Sequence, residues 1–227
     1  MKNSIEPECA NCKVKERICL VENGEKPLSC PTINYQETIV KILQEYQKLE
    51  TLKFARMASI QEAECYLNRH IQPYVLHPVK PRVQEVCEFA KKMGYRKLGI
   101  AFCVGLRSEA HTLSQILETQ GFQVISVICK VGGIPKETIG IKQDEKIRIG
   151  CFESMCNPIV QAAILNAEKT DFNILVGLCV GHDSLFFKYS EALTTALITK
   201  DRVLGHNPAA ALYTSGTYYA RTLRPDF

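Results

Sequence analysis

The apolar positions of the chain gather into three short runs, and each run ends in a cysteine followed by glycine. Leu98-Gly99-Ile100-Ala101-Phe102 leads into Cys103-Val104-Gly105. Val124-Ile125-Ser126-Val127-Ile128 leads into Cys129-Lys130-Val131-Gly132. Asn173-Ile174-Leu175-Val176-Gly177-Leu178 leads into Cys179-Val180-Gly181-His182. Nearly continuous apolarity, rather than alternation, suits strands covered on both faces of a parallel sheet. Residues 194–199 read as a fourth strand. Ligands of such sheets bind outside the carboxyl ends of the strands, so the three cysteines are expected on one rim.

Between the runs the pattern changes to a helical period. Val83, Val86, Cys87, Phe89, Ala90 and Met93 form one stripe over residues 82–93, and Gly94 is the expected stop. Cys87 falls on that stripe and reads as core, as does Cys65. Ser108 opens a helix running to Gly121. Asn157-Pro158 reads as the N-cap and first position of a helix over 159–169, which puts Cys156 at a helix start. Upstream, Ile39, Ile42, Leu43, Tyr46, Leu49 and Leu52 repeat near every third or fourth position, predicting helices over 35–70 with a break near Ala58-Ser59. Pro73, Pro78 and Pro81 punctuate a linker, and His77 reads as a loop residue within it. Residues 130–149 form a long polar, glycine-bearing loop, a candidate lid.

The expected fold is therefore α/β. A three-layer, mostly parallel, Rossmann-like sheet domain spans 81–227, a helical arm and linker spans 35–80, and a cysteine-rich metal-binding knuckle spans 1–34.

That knuckle follows from cysteine usage, the one outlying feature of the composition: 11 cysteines in 227 residues. Cys9, Cys12, Cys19 and Cys30 are separated by polar residues that cannot fold by burial. Metal binding at four thiolates supplies folding free energy in such segments, roughly 10–16 kcal/mol for structural zinc peptides. Four cysteines suit an iron–sulfur cluster, expected here as [4Fe-4S], and also tetrahedral zinc. A final Cys-Pro, here Cys30-Pro31, occurs in ferredoxin-type runs, the x6 and x10 gaps match neither standard spacing, and the second group of cysteines downstream leans the reading toward the cluster.

Charge and hydropathy narrow the partners. The net charge is +4 and no basic run stands out, which argues against nucleic acid. No apolar stretch is long enough to span a bilayer. The first seven residues lack the apolar segment of a secretory signal, so a cytoplasmic location is expected, where thiols stay reduced. Neither a dinucleotide-binding glycine pattern nor a P-loop is present.

On the rim, Cys103, Cys129, Cys156 and Cys179 are the candidate cofactor-binding residues: Cys103, Cys156 and Cys179 are the preferred ligands of a metal or cluster, and Cys129 or Cys151 is the fourth or holds substrate. His182 and Asp183 are the candidates for proton handling. His206, Arg107, Lys130, Asp201, Arg202 and Asn207 lie on the same expected edge, and Arg107 and Lys130 suit an anionic substrate.

With Cys9, Cys12, Cys19, Cys30 and the elements A-F-C-V-G-L, C-N-P-I and G-L-C-V-G-H-D-S in hand, the chain resembles the cysteine-rich DUF 1847 family of bacteria and archaea. The matching residues are those four cysteines with Cys103, Cys156, Cys179, Gly181, His182 and Asp183. The resemblance implies metal binding and supplies no substrate. Three readings follow: an iron–sulfur protein whose strand-end cysteines carry redox or sulfur chemistry on a small molecule; a non-enzymatic zinc- or metal-binding or sensing module; and a metal-free thiol enzyme.

Overall fold

The computed structural model describes residues 5–226. Met1–Ser4, the start of the polar N-terminus read above, and Phe227 lie outside the described residues. The chain divides into two units, Met1–Ala63 and Glu64–Phe227.

In the first unit, Cys9–Asn11 form one 3-10 turn, and the segment after it folds back on itself. Ile18 N–H donates to the Glu25 carbonyl (2.9 Å), and Glu25 N–H donates to the Glu16 carbonyl (2.7 Å). This crossing is so close that a Cβ on Gly24 would lie 2.6 Å from the Arg17 carbonyl carbon, so only glycine fits. Three helices follow: α1 (Pro31–Asn34), α2 (Gln36–Leu43) and α3 (Leu49–Glu64). The break falls at Lys48, whose backbone is extended, and not at Ala58-Ser59. Alanine and serine do not obstruct a helix, so α3 continues through them. The amphipathic period of α2 is real, yet Ile39, Val40, Ile42 and Leu43 all remain exposed.

The second unit opens with α4 (Arg82–Met93), which buries Val86, Cys87, Phe89, Ala90 and Met93. Tyr95 N–H donates back to the Ala90 carbonyl (2.9 Å), the bond that ends many helices closed by glycine. Then come β1 (Lys97–Phe102), α5 (Arg107–Thr119), β2 (Gln123–Ile128), α6 (Pro158–Ala167), β3 (Phe172–Val176), α7 (His182–Tyr189), β4 (Thr194–Ile198) and α8 (Ala209–Tyr213).

All strand pairs are parallel, in the order β2-β1-β3-β4. β3 is buried throughout and β1 at every position after Lys97, as continuous apolarity requires of central strands. The edge strands β2 and β4 are more exposed. Right-handed crossovers place α5 on one face of the sheet and α6 and α7 on the other. The Asn166 side chain ties the last two, donating to the Tyr189 carbonyl (2.9 Å) and accepting from Glu191 N–H (3.0 Å). At the amino edge, the rings of Phe89, Tyr95 and Phe172 pack together with centroids 5.7–6.5 Å apart. The carboxyl ends of all four strands face the opposite edge. The strand order reverses between β1 and β3, which is where such sheets hold ligands.

Candidate functional site

Cys103 and Cys129 directly follow β1 and β2. Cys129 N–H donates to the Phe102 carbonyl (2.8 Å), so the two residues continue the strand pairing side by side. Beneath them, Gln161 of α6 is fully buried and its amide donates to the carbonyls of Phe102 (3.3 Å) and Val127 (2.7 Å). It locks the last residues of β1 and β2 together. β3 ends at Val176, two residues before the predicted end. Gly177 turns there with φ 66, and a Cβ on it would meet Leu106 at 2.6 Å.

Cys156 arrives by a longer route. The loop after Cys129 is a flap with two 3-10 turns, tied to itself. Lys136 pairs with Glu153 (2.7 Å). Lys146, its side chain 2 % exposed, pairs with Glu137 (2.5 Å) and donates to the Cys151 carbonyl (3.0 Å). Met155 N–H donates to the Ile134 carbonyl (2.8 Å), and Lys130 Nζ donates to the Ser154 carbonyl (2.6 Å). The flap closes where Asn157 N–H donates to the Cys129 carbonyl (2.7 Å). Asn157 then caps α6, its Oδ1 accepting from Val160 N–H (3.3 Å). Cys156 thus lies beside Cys129 at the start of a helix.

The result is a row of three thiols. Cys129 lies between Cys103, which follows the paired strand, and Cys156, whose neighbour Asn157 bonds to its carbonyl, and each thiol shifts the proton affinity of the next. Val104 N–H also donates to Cys129 Sγ (3.3 Å). The Cys129 S–H lowers both neighbours. Cys103 is brought to about 5, helped by the Gly105 backbone and Lys200. Cys156 is likewise brought to about 5, helped by Lys130 and His182. Cys129 itself is raised by its two sulfur neighbours and by burial. One protonated thiol between two thiolates is the chemically sensible state for such a row.

The remaining predicted residues are placed as follows. Cys179 is half-buried and accepts a hydrogen bond from Arg202 Nη2 (3.0 Å). His182 has its Nδ1 enclosed with no hydrogen-bond partner among the described residues. Asp183 caps its own turn, accepting from Gly181 N–H (3.0 Å) and Ser184 N–H (2.8 Å). Asp201 and His206 fold the loop after β4: Asp201 Oδ1 accepts from Val203 and Leu204, and His206 Nδ1 accepts from Asp201 N–H. Arg107 lines a separate open cleft with Val104, Gly105, Ser108 and His111. Cys151 is exposed on the flap, and Cys65 and Cys87 are buried. Two residues that shape the surroundings of the row escaped the sequence reading. Lys200 lies just past β4, beside Asp201, and rim position alone could have found it. Gln161 is the lone polar residue within the first turns of an apolar helix, a signal in itself.

In the first unit, Cys9, Cys12, Cys19 and Cys30 all line one cavity of about 160 Å³, with Ile18, Pro27 and Pro31 among its walls. All eleven cysteines are free thiols. Among the described residues, no three or more Cys, His, Asp or Glu side chains close around a single ion position. Four thiols lining one cavity are a donor set that would suit an iron–sulfur cluster or a zinc ion.

Against known proteins, the family described as "Protein of unknown function (DUF1847)" matches residues 30–197. The chain belongs to this family. That span includes the whole thiol row and Cys30, while Cys9, Cys12 and Cys19 precede it. The "Uncharacterized protein MJ0455" of Methanocaldococcus jannaschii is 50% identical over 183 residues, 81% of this chain and 86% of the relative. No solved structure matches the chain. No helix among the described residues is long and apolar enough to cross a membrane.

Proposed function

We propose that this DUF1847 member carries two cysteine centres with different tasks. Cys9, Cys12, Cys19 and Cys30 hold an iron–sulfur cluster, and Cys103, Cys129 and Cys156 form a thiol site for redox or sulfur chemistry on a small anionic molecule. The observation that carries the reading is the grouping of three thiols at the carboxyl edge, tied by the Cys129–Phe102 and Asn157–Cys129 backbone bonds, with Cys156 half-buried near Lys130 and His182. The cluster supplies one-electron redox chemistry when bound.

The chain's own residues supply the rest. Lys130, Lys200 and Arg202 give the rim a positive field that attracts an anion. The capped start of α6 favours negative charge at Cys156. His182 has a free ring nitrogen with which to take or return a proton near that sulfur. Asp183 holds the turn that presents His182.

The test is iron and acid-labile sulfide analysis of protein purified without air, in the wild type and in two double variants. Iron and sulfide present in the wild type, lost in Cys9→Ser/Cys12→Ser and retained in Cys103→Ser/Cys156→Ser, is the expected pattern. Zinc without sulfide would replace the cluster by a structural ion. Loss of iron in the rim variant would move the cluster to the strand ends.

A further inference from the structure

The three thiols differ in access. Cys156 is half-buried, Cys103 is 6% exposed and Cys129 only 2% exposed. A molecule arriving at the rim meets Cys156 first, and Cys129, on the neighbouring segment, is more deeply buried. Their chain segments are already bonded side by side through Asn157 N–H and the Cys129 carbonyl. A backbone donor also points at the row: Val104 N–H at Cys129 Sγ (3.3 Å). Such donors stabilise a thiolate wherever one forms or departs.

Resting on the thiol-site reading above, we infer that Cys156 and Cys129 act as the attacking and resolving thiols toward the sulfur–sulfur bond of a small anionic disulfide or polysulfane. The Cys156 thiolate attacks one sulfur of that bond. The bond breaks, its electron pair leaves on the far sulfur as a thiolate, and a mixed disulfide remains on Cys156. Cys129 then gives its proton to the neighbouring Cys103 thiolate and attacks Cys156 Sγ. The bond to the substrate half breaks, and that half leaves as a second thiolate. The substrate gains two electrons, and Cys129 and Cys156 lose two as they join in a disulfide. A dithiol reductant returns the pair to its starting state.

This assignment gives Cys103 a part as well. It accepts the proton that lets Cys129 attack, and Cys129 first, then the Gly105 backbone and Lys200, favour its anionic form beforehand. Cys103 is therefore a positioning and proton-holding residue, with no bond to substrate.

The experiment is a single turnover of fully reduced protein with oxidised glutathione or tetrathionate, quenched with acid and mapped by mass spectrometry. In the wild type the expected product is a disulfide containing Cys129, with no substrate half retained. In Cys129→Ser the mixed disulfide on Cys156 should persist at least about tenfold longer. Cys129→Ala should behave alike, and circular dichroism checks that both variants fold; the wild-type map needs no variant. Reaction with either probe supports the inference, and the faster one assigns the organic or the inorganic source. The neutral hydroxyethyl disulfide should react about tenfold more slowly than oxidised glutathione, each normalised to free cysteine.

A mixed disulfide equally long-lived in wild type and variants, or a product disulfide lacking Cys129, overturns the division of labour while leaving the thiol site in place. Faster normalised reaction with hydrogen peroxide than with either probe overturns the substrate class. Complete silence of all rim thiols toward every probe defeats the thiol-site reading itself.

Discussion

The two cysteine centres are built in opposite ways. The knuckle has four thiols on a mostly exposed segment, held by turn hydrogen bonds and one close crossing at Gly24. The rim has its row of three on the ends of buried strands, locked by Gln161 below and by a self-tied flap beside. The knuckle buries little, so on the proposed reading its order comes from the cluster it binds. The rim is preorganised by the sheet, so its thiols keep their places with nothing bound. On that reading a cysteine group made by spacing depends on what it binds, and one made by topology depends on its fold.

Removing the metal should separate them most sharply. Stripping it with a chelator under reducing conditions should unfold residues 9–30, a loss on the order of 10 kcal/mol locally, while the sheet domain keeps its melting temperature. Hydrogen exchange reads both units at once. Unchanged protection across 9–30 would mean the knuckle folds without help.

The pH dependence of thiol reactivity is the next largest contrast. Cys156 is held at about 5, by the Cys129 S–H first and then by Lys130 and His182. The thiolate is the nucleophile, so a lowered pKa keeps the rate high as pH falls. Alkylation of Cys156 should stay flat from about pH 8 to 6 and fall only near pH 5, relative to the ordinary value of about 8.5. At pH 6 its thiolate fraction should exceed that of an ordinary thiol by roughly 300-fold. A profile that already falls below pH 8 would remove the influence of Cys129 from the account.

Gln161→Ala should cost about 2 kcal/mol in denaturant unfolding, because two buried carbonyls lose their donor. It should leave metal content at the knuckle unchanged. Asn157→Ala should cost about 1 kcal/mol through loss of the α6 cap, with the same indifference at the knuckle. Metal loss in either variant would show that the centres are not independent.

Much of this architecture was legible in the sequence for definite reasons. β1, β3 and α4 were readable because continuous apolarity and a clean helical stripe each admit few alternatives, and Gly94 marked a stop. The end of β3 was not, because only the packing of Leu106 shows why Gly177 must turn. The helical period of 35–70 was right about helices and silent about the exposure of α2, since periodicity records a pattern and not a partner. Cys103 and Cys129 followed from strand ends. Their contact with Cys156 did not, because it depends on a flap closed by Lys136–Glu153 and Lys146–Glu137, and no local pattern encodes those ion pairs. At the knuckle, spacing gave the four cysteines but not the cavity between them.

The most direct test of the contrast is one alkylation map of the intact protein, purified without air and labelled in the native state. The account predicts Cys9, Cys12, Cys19 and Cys30 protected although three of them lie on an exposed or half-exposed segment, and Cys156 labelled first among the rim thiols. Labelled knuckle cysteines together with a protected row at Cys103, Cys129 and Cys156 would contradict it, placing the bound centre at the strand ends instead.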